Sequence, residues 1–179
     1  DIVATFKNTL VFKDLLRAIL LHPEFYSDNT KKGLISSPTE FLTRVHAITG
    51  NRSNSDIANW SMWKMPDTGQ ELFNPPNVSG WRQNDYWLST SQMGTRGIIT
   101  NMSYYSDVVT NLFVSLDTLT PEQTVLAEAK KLGLYELSTE TKVSLTNYLA
   151  SMRTKSYSAN SRSRALFHLI VMSPDFQLS

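Results

Sequence analysis

The chain has 179 residues, 41% of them hydrophobic, which is enough for one buried core or two small ones. A formal net charge of +1 argues against a dedicated nucleic-acid binder, and the absence of cysteine excludes disulfides, thiolate zinc sites and a cysteine nucleophile. The longest apolar run, Leu15 to Leu21, is broken by Arg17 and falls far short of the roughly 20 residues that span a bilayer.

Taken in chain order, the first helical pattern runs from Val11 to Leu21. It places Val11, Phe12, Leu15, Leu16, Ile19 and Leu20 on one face, and Pro23 ends it. Ser37-Pro38-Thr39-Glu40 is a capping box with proline at the first helical position. The helix it opens carries Phe41, Leu42, Val45 and Ile48, and Gly50 fits its C-terminal stop. A shorter helix covers Asp56 to Met65, stopped by Pro66. Residues 66–90 lack helical periodicity. There Pro75-Pro76 fix two φ angles and hold Asn74 extended, and Gly80 permits a backbone conformation closed to other residues. The spacing predicts one long, specifically folded Pro/Trp-rich loop.

Helix resumes near Ser91 and runs, with an interruption, to about Leu116. Thr120-Pro121-Glu122-Gln123 repeats the capping-box pattern and Gly133 closes that helix. The next runs from about Thr139 to Met152, with Val143, Leu145, Leu149 and Met152 apolar. Residues 153–163 read as a Ser-rich linker in a basic run of Arg153, Lys155, Arg162 and Arg164, and a last helix, about Ser163 to Met172, ends at Pro174. No stretch shows a sustained alternation of β-branched residues. The expectation is an all-α fold of six to eight helices over residues 1–179, with a sub-boundary near 117–121.

One segment echoes another. Leu15 to Phe25 and Leu166 to Phe176 are both apolar helices stopped by proline, followed by an acid and then phenylalanine. A recurrent helix-stop device and a duplicated helical unit both fit this echo. Two copies are too few for a solenoid.

Chemistry is sparse. His22, His46 and His168 are dispersed, with no His-Glu-x-x-His pair, and each reads as structural. Val78-Ser79-Gly80 has no histidine nearby in sequence, and Asp67, Glu71 and Asp85 show no sign of pairing. No catalytic residue, metal ligand or cofactor is assigned. The aromatic residues are the stronger signal. All four tryptophans, Trp60, Trp63, Trp81 and Trp87, lie within residues 60–87 beside Phe73 and Tyr86. The candidate binding set is Trp81, Trp87, Asn77, Tyr86, Arg82 and Asn74. Flat rings beside planar polar groups suit sugars, whose C–H faces stack while their hydroxyls are hydrogen-bonded. The same residues also suit a locked loop, with aromatics filling the space beneath it and Asn77 satisfying its amides.

Leu15 to Phe25, Ser37-Pro38-Thr39-Glu40-Phe41, Gly69 to Trp81, Trp87-Leu88 and Ser173-Pro174-Asp175-Phe176-Gln177 follow one another in this order. In that order the chain resembles the C-terminal part of the bacterial domain-of-unknown-function family 1800. The resemblance covers most of the chain and is weakest between about 100 and 160. It departs from the family pattern after Trp81, where Arg82-Gln83-Asn84-Asp85 replaces a Pro-Gly-Gly-like stretch. The resemblance implies a larger protein with a missing N-terminal portion and an extracytoplasmic location, and it carries no settled activity. The function expected is an interaction module that contacts a glycan, another polymer or a secreted protein partner through the Trp-rich loop. The alternative is part of an extracellular hydrolase whose catalytic groups lie in the missing portion. Neither reading involves nucleic acid or a membrane span.

Overall fold

The computed structural model describes residues 2–51, 56–104, 118–155 and 157–178. Among them are ten α-helices, and the fold is all-α. They are α1 (Ile2–Thr9), α2 (Phe12–Leu20), α3 (Asp28–Lys31), α4 (Pro38–Thr49), α5 (Asp56–Trp63), α6 (Thr90–Ser103), α7 (Pro121–Lys131), α8 (Thr139–Thr154), α9 (Ala159–Val171) and α10 (Pro174–Gln177). Short 3-10 turns occupy Pro23–Tyr26, Pro66–Thr68 and Asn84–Leu88. No helix of the described residues is long and apolar enough to cross a membrane. The chain divides into two compact units, residues 1–35 with 178–179, and residues 36–177.

In the first unit α1 packs on α2, and Ile35 and Leu178 form an isolated antiparallel bridge. The apolar stripe of α2 has the expected period, yet no residue of that helix is buried, and Phe12, Leu16 and Leu20 are exposed. His22 caps the turn that follows, its Nδ1 accepting from the Glu24 N–H at 3.2 Å.

In the second unit, local capping sets most helix ends. Ser37 and Glu40 make the reciprocal capping box of α4, at 3.2 and 2.7 Å, and Gly50 ends the helix at a φ of 74°. Thr120 and Gln123 do the same for α7. Gly133, at a φ of 81°, completes a Schellman motif in which the Leu134 N–H donates to the Ala129 carbonyl at 2.9 Å. Two boundaries differ from those read in sequence. Residues 159–163 are helix rather than linker, because Ser158 accepts from the Ser161 N–H at 3.1 Å and starts α9 early. Arg153 belongs to α8 and donates to the Leu119 carbonyl at 2.7 Å and to Thr124 Oγ1 at 3.0 Å. Of the helix expected to reach Leu116, residues 105–116 lie outside the described residues, as does Asp117 of the stretch 117–121.

Two apolar clusters hold this unit. The larger draws Phe41 and Val45 from α4, Val125 and Ala129 from α7, Leu145 and Leu149 from α8, Leu166, Phe167, Ile170 and Val171 from α9, and Phe176. The smaller joins Leu42, Met65 and Ile99, with Trp60 and Leu72 against it. The echoed helix-stop segments share local form and differ in burial. Phe25 is exposed in the first unit. Phe176 is fully buried in the second, edge-on to Phe41 at 6.1 Å with the Arg44 guanidinium 4.0 Å from its ring centre.

Arg96 on α6 is fully buried, and its described partners are neutral oxygens. Nη1 donates to Gln177 Oε1 at 2.6 Å and Nη2 to the Ser36 carbonyl at 2.8 Å, with the guanidinium 5.0 Å from the Phe41 ring centre. Gln177 in turn donates through Nε2 to the Val171 carbonyl at 2.7 Å, and its own carbonyl accepts from the Ser36 N–H at 2.7 Å. Burial pushes the guanidinium down to about 10, so it is charged at neutral pH, and among the described residues that charge is held by neutral acceptors and the Phe41 ring. A lysine ammonium is a point donor that does not reproduce the guanidinium fork, so one buried acceptor is left unmatched. Arg96→Lys is therefore expected to lower the unfolding free energy by about 1–3 kcal/mol in urea denaturation, and an unchanged midpoint would contradict the clamp.

Candidate binding site

The segment between α5 and α6 is fastened at both ends and exposed in the middle. At its start, Met65 is buried in the smaller apolar cluster, and Thr68 Oγ1 donates to the Met65 carbonyl at 2.6 Å. Gln70 Oε1 accepts from the Thr39 N–H at 3.0 Å and from Thr39 Oγ1 at 2.8 Å. The first turn of α4 thus gains a partner for an otherwise orphaned amide. Gly69 has a φ of 93°, and a Cβ there would lie 2.5 Å from Gln92 Nε2 and 3.3 Å from Trp87 Cδ1. That backbone angle strains any other residue at this position. At the other end, Trp87 is 6% exposed and its turn packs on α6.

Between these anchors the chain makes two tight turns. In the second, the Gly80 N–H donates to the Asn77 carbonyl at 3.0 Å and the Ser79 N–H to Asn77 Oδ1 at 2.8 Å. Gly80 has a φ of 84° with open space around it, so its backbone angle alone calls for glycine. In the first, the Asn74 N–H donates to the Glu71 carbonyl at 3.3 Å and Asn74 Nδ2 to Glu71 Oε2 at 2.8 Å. Phe73 occupies the third position of that turn at a φ of 64°, where glycine or asparagine is the usual occupant. Its side chain is 97% exposed, so packing does not compensate the strain.

Five of the six residues singled out in sequence come together here. Asn74, Asn77, Trp81, Arg82 and Tyr86 line one cleft of about 670 Å³, joined by Pro66, Gly69, Glu71 and the two prolines. The Arg82 guanidinium lies 5.0 Å from the Tyr86 ring centre. Trp81 is half-buried, and its indole N–H is shielded and without a described partner, so it offers the cleft carbon surface. Trp87 is the sixth, and it packs against Gly69 rather than lining the cleft. The four tryptophans do not share one environment. Trp60 packs on the smaller apolar cluster, while Trp63 is 84% exposed. Glu71 was read in sequence only as an unpaired acid. Its contribution comes from the turn that closes on Asn74, which residue type alone does not signal.

The histidines stand apart from this cleft. His46 is buried on α4 with neither ring nitrogen bonded among the described residues, and burial pulls its pKa below the ordinary imidazole value. His168, shifted the same way by burial and then by Arg164, lines a separate hollow of about 780 Å³ between α6 and α9. That hollow is bordered by Met93, Gly97, Ile98 and Ala165 and holds no tryptophan, tyrosine or phenylalanine. Among the described residues no three His, Asp or Glu side chains are grouped to hold a metal ion.

Strain at Phe73 has a measurable consequence. A non-glycine residue in the left-handed region costs about 1–2 kcal/mol, against about 0.5–1 kcal/mol of extra chain entropy for glycine. Phe73→Gly is thus expected to raise the urea midpoint slightly, whereas Trp87→Ala, which empties a buried site, lowers stability by about 3–5 kcal/mol. A destabilised Phe73→Gly variant would contradict the exposure and strain assigned to that ring.

The family model for DUF1800, described as a protein of unknown function, matches residues 2–178. No curated protein and no solved structure matches the chain.

Proposed function

Because the chain belongs to DUF1800, a family of proteins of unknown function, we propose a role for it from the cleft itself: an interaction module that binds glycan. The observation that carries this is the lining. The carbon face of Trp81 and the ring of Tyr86 lie in one cleft with the amides of Asn74 and Asn77, Glu71 and Arg82. Such a surface stacks on the C–H face of a pyranose while its planar polar groups receive the hydroxyls. The volume falls within the roughly 300–1,000 Å³ usual for ligand sites.

Glu71 is the one carboxylate that lines the cleft among the described residues, and its Oε2 already accepts from Asn74. Glycoside cleavage commonly uses two carboxyl groups across the scissile bond, so this lining favours holding a chain over cutting it. The proposal places the protein outside the cytoplasm, at or beyond the cell surface, where polymeric glycan is met.

Titration of tryptophan fluorescence with a panel of neutral oligosaccharides tests this. A saturable shift is expected for at least one member of the panel, with affinity about tenfold weaker in Trp81→Ala at a temperature where circular dichroism shows that variant still folded. A flat response across the panel, or binding indifferent to Trp81→Ala, would overturn the proposal.

A further inference from the structure

A second hollow of about 290 Å³ adjoins the first, lined by Met62, Trp63, Pro66, Glu71, Leu72 and Phe73. Pro66 and Glu71 line both, so the two hollows adjoin across these side chains and together form one groove-like surface. The walls of the smaller compartment are unusual for a surface. Trp63 and Phe73 are almost wholly exposed, and Phe73 is held there by a left-handed backbone that a phenylalanine adopts at a cost. Neither ring is needed for the apolar clusters, because neither is buried in them. Two uncovered aromatic faces bordering a notch at the end of an aromatic cleft continue the same surface chemistry.

From this continuity we infer that the Trp63–Phe73 notch is a second subsite, and that the ligand is a neutral polysaccharide chain running across both compartments. The inference rests on the glycan-binding reading of the larger cleft. The choice of a neutral chain follows from the charges present. Glu71 sits at the junction, where an anionic chain would bring its own charge against a carboxylate. The cation lining the groove is Arg82, in the larger compartment over Tyr86. Lys64, next to Trp63, is engaged with Asp67 at 3.1 Å and does not line either compartment. One acid and one base along the groove leave no net field for a charged polymer to follow. A chain too short to span the groove fills the larger compartment alone, so affinity depends on length.

The test is a calorimetric titration of the intact chain with a neutral oligosaccharide series from dimer to hexamer, using the sugar type that scores in the fluorescence panel. Wild type, Trp81→Ala, Trp63→Ala and Phe73→Ala are compared. Affinity in wild type is expected to rise with length. Trp63→Ala and Phe73→Ala each weaken the hexamer about fivefold while leaving the dimer within about twofold, and Trp81→Ala weakens every length. Both exposed rings are replaced without loss of burial, so the variants keep the wild-type melting transition, checked by circular dichroism. A hexamer indifferent to both notch variants, or a wild type without length dependence, overturns the second subsite and leaves the larger cleft standing. Failure of every oligosaccharide to bind wild type removes both readings together.

Discussion

The second unit turns on a buried cation whose partners among the described residues are neutral. Arg96 sits at the middle of α6 and bonds forward to Gln177 and back to Ser36, drawing together the two ends of a stretch that runs from residue 36 to residue 177. Taking a guanidinium out of water is expensive, and here the cost is met by neutral acceptors fixed in place by other bonds. Ser36 and Gln177 also pair through the backbone, and Gln177 is itself tied to Val171, so the acceptors are held by bonds that do not involve the arginine. A flexible pair of acceptors would not hold the charge; a prearranged pair does.

That clamp fixes α6, and α6 fixes the segment from residue 64 to 89. The Pro66–Thr68 and Asn84–Leu88 turns both pack on it, and Gly69 lies against Gln92 at a φ of 93° that strains any other residue. With its ends held this way, the intervening chain can carry features that do not stabilise it, among them the left-handed Phe73 and the exposed Trp63 and Val78. Strain and exposed apolar surface persist in proteins where the surroundings over-determine them, and they concentrate where a molecule meets a partner. The same arrangement explains why Trp81 and Trp87, six residues apart, differ so much. Trp87 belongs to the anchor and is buried; Trp81 belongs to the presented surface and stays half open.

What was legible in the sequence is what short-range physics decides. Capping boxes at Ser37 and Thr120 and the glycine stops at Gly50 and Gly133 depend on residues within one turn, and each is found where the pattern puts it. The all-α class follows from the same local signals. The start of α9 was hidden because Ser158 to Ser163 lacks an apolar period, although Ser158 is an ordinary N-cap. Arg96 was invisible as a core residue, since its partners lie 60 and 81 positions away and nothing in Thr95-Arg96-Gly97 marks burial. The stripe on α2 was legible as a period but not as an outcome, because a period says which residues share a face and not what covers it. Clustering of aromatic and amide side chains pointed to six candidate residues, of which five line one cleft. Trp63 and Phe73 went unassigned because neither the helix end nor the turn φ that exposes them can be read from residue type.

The central claim is that a clamped helical frame presents one groove-like surface to a neutral glycan chain. An amide and indole N–H correlation spectrum, recorded with and without a saturating neutral hexasaccharide, tests it most directly. The account predicts shifts concentrated in residues 69–86 and at the indole protons of Trp63 and Trp81, with α7 and α8 unmoved. An unchanged spectrum, or shifts centred on the hollow between α6 and α9, would contradict it.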